Sequence, residues 1–343
     1  MKYLLIGDMH TKLDNIEESR RLIEFIVKNC KETEATPIFL GDQYDGMAAI
    51  RAEVLEFWVW AYSYINNALT GDDSKVSSIS LTGNHDLNSD CSASAMSAHE
   101  KQTVVASGFG YLPLEGGIAA FGYIRDNSAF IAQAQDAYSK GFRTILCHAE
   151  FDGAQYDNGF YSPHGIDLNL CPPVVFISGH IHKRQWVKAN NCEVRYIGTP
   201  RMLTRSDIGE AKGLVLWDTT KDEFKSIPTP SEVAVPFQQI TIASEEELNL
   251  YAVAASSRTY VDIKGSSEFI KKALKKMPDS VKVRTFPDQD RAPVEIKESD
   301  GIPAAFRAYA GKYFSTKTLT EDAQKNVLNL VYEKCPTLRG NNG

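Results

Sequence analysis

Side chains that can bind metal follow five short apolar runs of the sequence. The runs are KYLLIGD, PIFLGD, SISLTGN, TILCH and VVFISGH. The candidate ligands at their ends are Asp8 and His10, Asp42, Asn84 with His85, His148, and His180 with His182. Taken singly, a histidine or aspartate after a strand is more often a cap or a turn residue. Their recurrence after five runs indicates a shared site for divalent metal, which binds carboxylate, amide and imidazole groups.

The elements that must position these residues are the strands of a sheet. The runs are rich in Ile, Leu, Val and Phe, and helical patterns separate several of them, which predicts an α/β fold with buried strands. Residues 16–30 have the apolar spacing of a helix that covers a sheet. Ligands of such folds bind beyond the carboxyl ends of the strands. Gly7, Gly41, Gly83 and Gly179 precede the candidate ligands, where a close approach leaves no room for a side chain.

The order of these motifs, D-x-H, G-D, G-N-H-D, H and G-H-x-H, resembles the calcineurin-like metallophosphoesterase superfamily. The resemblance implies a sandwich of β-sheets flanked by helices. It implies two bound divalent ions, with Mn²⁺ expected and Mg²⁺, Fe or Zn²⁺ as alternatives. The ligands of one ion would be Asp8, His10, Asp42 and His182, and those of the other Asp42, Asn84, His148 and His180. Asp42 would then bridge two ions about 3.5 to 4 Å apart.

The same resemblance assigns catalytic roles to the two residues after Asn84. His85 would be the general acid, or the donor that stabilises the leaving oxygen in the transition state, and would not be a metal ligand. Asp86 would orient the His85 imidazole. A metal-held hydroxide would attack phosphorus, so replacement of His85 is expected to spare metal binding and remove most of the rate.

The segment RYIGTPRMLTRSDIGEAKGLVLWD resembles SbcD-type nucleases and phage recombination endonuclease subunits, and the short chain favours the phage type. That resemblance implies a DNA exonuclease and single-strand endonuclease. Its partner would be an SbcC-like ABC ATPase, and the complex would act in DNA recombination, repair and replication. A phosphoesterase of small molecules or proteins, and a catalytically silent scaffold, are the alternatives.

The punctuation by Pro228 and Pro230 predicts a domain boundary. A nuclease domain is expected over 1–230 and a small β-α-β-α-β capping domain over 235–290. A polar linker is expected over 291–301. Two helices over 302–338 would dock on the ATPase, or alternatively fold back on the small domain.

The predicted helix over 51–67 carries two apolar stripes, and one sheet can bury only one of them. Val54, Trp58, Ala61 and Ile65 form the first stripe, and Phe57, Trp60 and Tyr64 form the second. The second stripe would meet either a neighbouring loop or the same helix of an identical subunit, which would make a homodimer.

Three further residues are candidate substrate contacts. His164 lies in the long loop between the fourth and fifth motifs, and a turn histidine is the alternative. Arg201 and Arg205 follow YIGTP and would meet backbone phosphates, or would instead pair with Asp207 and Glu210. His99 is expected at the surface.

Composition limits the class of protein. The net charge is −7, with 21 lysines and arginines against 33 acidic residues over 1–250 and 16 against 11 over 251–343. Contact with DNA is therefore expected to depend on bound cations, the C-terminal part or a partner. No run approaches the roughly 18 apolar residues of a membrane helix, no export signal is recognisable, and the six cysteines form no CxxC pair. These features predict a cytoplasmic protein with reduced thiols, in the host cytoplasm if a phage encodes it.

Overall fold

The structure is a computed structural model that describes residues 1–46, 49–189, 191–251, 256–288 and 329. Backbone contacts divide the chain into two compact units, one of residues 1–263 and 273–285 and one of 264–272 with the residues from 286 onward. In the second unit, the Asp288 amide donates to the Gly265 carbonyl at 2.7 Å. The predicted linker over 291–301 and, apart from residue 329, the predicted helices over 302–338 lie outside the described residues.

The described residues form fifteen strands and five α-helices. In chain order the strands are β1 (Lys2–Ile6), β2 (Thr36–Phe39), β3 (Ile79–Leu81), β4 (Val104–Ala106), β5 (Leu112–Leu114), β6 (Ile118–Ala120), β7 (Thr144–Cys147), β8 (Val175–Ser178), β9 (Gln185–Lys188), β10 (Glu193–Tyr196), β11 (Gly213–Asp218), β12 (Glu223–Pro228), β13 (Gln238–Ile242), β14 (Thr259–Gly265) and β15 (Lys282–Pro287). The helices are α1 (Ile16–Thr33), α2 (Ala52–Thr70), α3 (Asn127–Ser139), α4 (Glu245–Tyr251) and α5 (Ser267–Leu274).

Twelve of these strands form two mixed sheets of six strands each. The first has the order β12-β11-β1-β2-β3-β4 and the second the order β5-β6-β7-β8-β10-β9. In the first, β1 to β4 are parallel neighbours, and in the second β6, β7, β8 and β10 are parallel. Parallel neighbours end at the same edge of a sheet, so the loops after β1, β2 and β3 are adjacent, as are those after β7 and β8.

Strand β1 shows how the layers pack. Its Leu4 and Ile6 belong to the apolar cluster that includes the buried faces of α1 and α2, whereas Tyr3 and Leu5 belong to the cluster between the two sheets. A third cluster joins the second sheet to α3. The order of layers is helix, sheet, sheet, helix, which confirms the predicted sandwich of sheets flanked by helices.

The two apolar stripes of α2 have different surroundings. Val54, Trp58, Ala61 and Ile65 are buried as predicted, and Phe57 of the second stripe is also buried. The ring of Trp60 is covered by the guanidinium of Arg20, 3.9 Å from the ring centroid. Because Arg20 belongs to α1, a neighbouring helix covers part of this stripe. Leu55, Val59 and Tyr64 stay exposed.

Residues 238–287 follow the predicted β-α-β-α-β order, and their strands form a small sheet of order β13-β14-β15. One expectation in the larger unit is wrong: His99 is fully buried, and the hydroxyl of Tyr44, 2.6 Å from its Nε2, replaces water as a hydrogen-bond partner. Burial lowers the pKa of His99 to about 4. Among the described helices, none has the length and apolar character needed to cross a membrane.

Candidate metal centre

The loops after β1, β2, β3, β7 and β8 converge on the carboxylate of Asp42. Its Oδ2 lies 3.5 Å from Nε2 of His10 and 3.4 Å from Nε2 of His148. His10 follows a strand of the first sheet and His148 a strand of the second. Asp42 therefore stands between two groups of ligand atoms, as the predicted bridging position requires.

The first group contains Asp8, His10 and His182, whose ligand atoms all lie within 4.8 Å of one another. The two imidazoles face each other, with 3.2 Å between their Nε2 atoms. Oδ1 of Asp8 accepts the backbone N–H of His180 at 2.9 Å, whereas its buried Oδ2 has no hydrogen-bond partner among the residues that the structure describes. A buried carboxylate oxygen without a partner is costly, and a bound cation would satisfy it.

The second group contains Asp42, His148 and His180, again within 4.8 Å, with Asn84 directed into it. Oδ1 of Asn84 lies 3.0 Å from Nε2 of His148 and 2.9 Å from Nδ1 of His180. These two ring nitrogens are 3.2 Å apart. One amide oxygen and two imidazole nitrogens directed at a common point, beside a carboxylate, suit a divalent ion.

Each candidate histidine ligand has a second partner on its far side. These partners are Asp45 for Nδ1 of His10 (3.4 Å), the Leu40 carbonyl for Nδ1 of His148 (2.8 Å), Glu150 for Nε2 of His180 (3.2 Å) and Asp157 for Nδ1 of His182 (3.6 Å). Such partners fix the orientation and tautomer of a metal-binding imidazole. None of the three carboxylates was predicted from the sequence, although Asp45 ends the GDQYD motif and Glu150 lies two residues after His148.

The backbone is strained at three of the candidate ligands. His10, Asp42 and His180 have φ values of 41°, 52° and 75°, in the left-handed region that side chains other than glycine rarely adopt. Each such residue costs about 1–3 kcal/mol. They are three of the six non-glycine residues with positive φ in the described part of the chain, so this strain is concentrated at the site.

Two glycines allow the loops to approach one another. A Cβ on Gly83 would lie 2.1 Å from Oδ1 of Asp42, and one on Gly41 would lie 2.3 Å from Nδ1 of His148. Gly41 also has a φ of 101°. Both positions exclude a larger residue, which agrees with the prediction that these glycines permit close approach.

Charge coupling keeps the central carboxylate ionised. Burial alone would raise the pKa of Asp42, but His148, His10 and His85 bring it well below its usual range. Burial likewise opposes protonation of His148, but Asp42 and Asp8 raise its pKa to about 9. The hydrogen bond from His180 contributes most to lowering the pKa of Glu150 to about 2. Asp42 and Glu150 are therefore anionic at neutral pH, the state required of a ligand and of the partner behind a ligand.

His85 lies at the edge of the first group. Its backbone N–H donates to Oδ1 of Asp42 at 2.8 Å. Its Nδ1 lies 2.8 Å from the carbonyl oxygen of Asp45. Because a carbonyl can only accept, Nδ1 carries the proton and Nε2 is the reactive nitrogen. Ligand atoms of His10, Asp42 and His85 also lie within 4.8 Å of one another, so geometry alone permits His85 as a ligand.

Asp86 does not occupy the position predicted for it. Its buried carboxylate accepts the backbone N–H groups of Gly83 at 2.8 Å and Tyr44 at 3.0 Å, and so connects the loops after β2 and β3. Burial, followed by the charge of Asp42, raises the pKa of Asp86 to about 8. The Asp45 carbonyl, rather than Asp86, orients the imidazole of His85.

The predicted substrate contacts fall in different places. Arg201 borders the metal cleft but is only 2% exposed, whereas His164 is exposed and is not among the described residues that line the cleft. Arg205 forms an ion pair with Asp262. The alternative of pairing with Asp207 and Glu210 is wrong, since Asp207 pairs with Lys212 and Glu210 with Lys183.

The ligand groups open into a cleft of about 500 Å³. Its floor contains His10, Asp42, Asn84, His85, His180 and His182. Its walls include Lys12 and, from the segment that contains the small sheet, Phe237, Arg258 and Lys282. Asp14, Glu18 and Asp45 line the cleft as well, and Lys12 and Arg258 form ion pairs with Asp45 and Glu18. The cleft thus combines a set of metal ligands with walls that carry charges of both signs.

Comparison with known proteins gives three results. The family model described as calcineurin-like phosphoesterase matches residues 1–184, the range that contains every candidate metal ligand. Over 250 residues the chain is 27% identical to "Exonuclease subunit 1" of Enterobacteria phage T4, which covers 66% of this chain and 68% of that protein. A solved structure of GAP50, described as the anchor in the inner membrane complex of Plasmodium, has a TM-score of 0.37 and 10% identity, covering 84% of this chain and 98% of that one.

Proposed function

The chain belongs to the calcineurin-like phosphoesterase family, and from that premise we propose that it is a metal-dependent DNA nuclease subunit with exonuclease and single-strand endonuclease activity. The observation that carries the proposal is the pair of ligand groups that share Asp42, with His85 beside them. The similarity to an exonuclease subunit supports a nucleic acid as the substrate.

We propose that the site holds two divalent ions, with Mn²⁺ expected. The ligands would be Asp8, His10, Asp42 and His182 for one ion and Asp42, Asn84, His148 and His180 for the other. The unpartnered Oδ2 of Asp8 and the facing imidazoles fit this assignment. When bound, two such metal ions neutralise phosphodiester charge and lower the pKa of water.

The chain's own residues then handle the proton. In its protonated state, His85 keeps Nδ1–H on the Asp45 carbonyl and presents Nε2–H to the leaving oxygen. Its backbone N–H holds Oδ1 of Asp42, which leaves Oδ2 directed at both ligand groups. Asp86 fixes the loops that carry both residues. We assign proton donation to His85 and loop positioning to Asp86.

A hairpin beside the metal ligands supports a single-stranded substrate. Asp157 lies 3.6 Å from His182, and the β-turn after Tyr156 is closed by the Gly159 amide at 2.9 Å. The next two side chains, Phe160 and Tyr161, are 73% and 63% exposed. Adjacent exposed aromatic rings on a fixed turn suit base stacking, which contributes about 1–3 kcal/mol per base.

The proposal includes two partners and a place in the cell. An SbcC-like ATPase would bind residues 302–338, beyond a linker over 291–301 and a capping domain over 235–290 that follows the nuclease domain over 1–230. A second copy would pack on the helix over 51–67, where Leu55, Val59 and Tyr64 are exposed. The complex would act in recombination, repair and replication in the cytoplasm, that of the host if a phage encodes the chain.

The test uses purified full-length protein with Mn²⁺, with and without the ATPase. The substrates are linear duplex DNA, circular single-stranded DNA and bis-p-nitrophenyl phosphate. Degradation of the linear duplex and cleavage of the circular single strand are expected. Hydrolysis of the small ester without DNA cleavage, even with the ATPase present, would favour a phosphoesterase of small molecules or proteins.

A further inference from the structure

A buried arginine lies directly beneath the first ligand group. Nη2 of Arg201 donates to the carbonyls of Met9 and His10, and Nη1 donates to Ser19 at 2.9 Å and to Glu18 at 3.4 Å. Burial lowers the pKa of Arg201 to about 10, so the guanidinium stays charged at neutral pH. Its bonds to two successive carbonyls are directed at the loop that carries the candidate ligand His10.

That loop needs support because of its backbone conformation. His10 has a φ of 41°, and this left-handed turn directs its Nε2 towards His182 and Asp42. The His10 carbonyl also accepts from Asn15 at 3.0 Å, and the His10 amide donates to the Asp42 carbonyl at 2.9 Å. Arg201 therefore completes a set of bonds that holds one strained peptide in place.

Glu18 extends this network to the small sheet. Glu18 is 4% exposed, and its carboxylate accepts from both Arg201 and Arg258. Arg258 directly precedes β14, and its guanidinium lies 4.8 Å from the centroid of the Phe237 ring. One buried carboxylate between two guanidiniums thus links β14 to the carbonyls of Met9 and His10.

Stability alone is a weak explanation for such a network. Apolar residues of similar volume often fill a buried site at least as favourably as an ion pair. Positioning of His10 is the explanation that agrees with the acceptors of these hydrogen bonds. Replacement of an outer partner of a metal ligand typically changes metal affinity by about 10–100-fold. Removal of a bond from this network should therefore have a measurable effect on metal affinity.

We propose that Arg201 is a positioning residue for the metal ligand His10, and that Glu18 couples it to Arg258, so that the ion pair between Glu18 and Arg258 sets the affinity of one of the two metal ions. This inference rests on the proposed two-metal function. It makes Arg258 a determinant of metal binding although its guanidinium bonds to Glu18 rather than to a candidate ligand.

The test is calorimetric titration of the full-length protein with Mn²⁺. Arg258→Gln is expected to weaken one ion about tenfold and spare the other, and Arg201→Lys to weaken the same ion by up to about 100-fold. Arg205→Gln is the matched control, because it breaks an ion pair to Asp262 of the same strand without touching Glu18. Its Mn²⁺ affinities should equal those of the wild type.

Thermal unfolding with EDTA shows whether each variant folds, and Arg258→Gln carries the test if Arg201→Lys does not fold. Two unchanged affinities in a folded Arg258→Gln protein would overturn the inference and leave the proposed function standing. Equal weakening of both ions, or equal weakening in the control, would overturn it as well. Absence of Mn²⁺ binding in the wild type would instead remove the proposed metal site, and this inference with it.

Discussion

Replacement of His85 by glutamine separates the two roles that the geometry permits for this residue. Glutamine lacks the titrating nitrogen but keeps the backbone N–H that donates to Oδ1 of Asp42 at 2.8 Å. The central carboxylate should therefore stay in place. If His85 is a proton donor, His85→Gln should still bind two Mn²⁺ ions.

The size of the rate loss depends on the leaving group. A positioned general acid contributes about 10²–10⁴-fold, which is about 3–5 kcal/mol of barrier. The sugar oxygen of DNA that leaves as an alkoxide needs a proton, whereas p-nitrophenolate is a stable anion. We expect kcat on single-stranded DNA to fall by the full factor and kcat on bis-p-nitrophenyl phosphate to fall by no more than about tenfold.

The assay is steady-state kinetics on both substrates, with Mn²⁺ titration of the same preparation. Equal losses on the two substrates would refute proton donation by His85. Loss of one bound ion would show that His85 is a ligand, because its nitrogen lies within 4.8 Å of the ligand atoms of His10 and Asp42.

Four further predictions concern the two ligand groups, the buried His99 and the exposed face of α2. Gly83→Ala should abolish binding of both ions in calorimetry, because its Cβ would lie 2.1 Å from Oδ1 of Asp42. Glu150→Gln should weaken Mn²⁺ about 10–100-fold in the same titration, because the His180 ring loses its anionic partner. Burial lowers the pKa of His99 to about 4, below the unfolded value of about 6.5, so the unfolded chain binds the proton first as pH falls. The free energy of unfolding should therefore fall by up to about 3 kcal/mol between pH 6.5 and 4, and urea unfolding of His99→Gln should lack this component. Val59→Glu should convert a dimer to monomers in sedimentation, and an unchanged dimer would exclude this exposed face of α2 as the interface.

The candidate ligands were predictable because their signal is local. An apolar run predicts a strand, and the polar residues at its end lie at one edge of a parallel sheet. Asp8, Asp42 and His148 each follow such a run, so type and order were enough to bring them together. The α/β class followed from the same runs and the helical spacing between them, whereas the sandwich of two sheets was implied by the family resemblance.

The partners behind the ligands depend on folding over long distances. Asp157 meets His182 only because the hairpin after β7 turns back on the loop after β8. Neither spacing nor residue type in the sequence indicates that return. Asp86 was assigned to the wrong partner for a related reason. Although Asp86 is next to His85 in sequence, the acceptor for the His85 ring is the carbonyl of Asp45, which lies in another loop.

Arg201 shows the limit most clearly. Its place after YIGTP suggested a phosphate contact, but 183 residues separate it from Glu18, whose carboxylate draws it into the interior. Burial of an arginine is uncommon enough that sequence favours exposure. Arg201 is buried because α1 packs against the loop after β10.

The wide spacing of the ligands along the chain has a consequence for how the protein folds. His10 and His182 are 172 residues apart, and Asn84 and His148 are 64 apart. Contacts between such distant segments form slowly, since closing long loops costs entropy before the contact is gained. Both sheets must have formed before the two ligand groups come together, so metal binding should be among the last events of folding. Metal binding should therefore be a sensitive reporter that the whole sandwich has assembled.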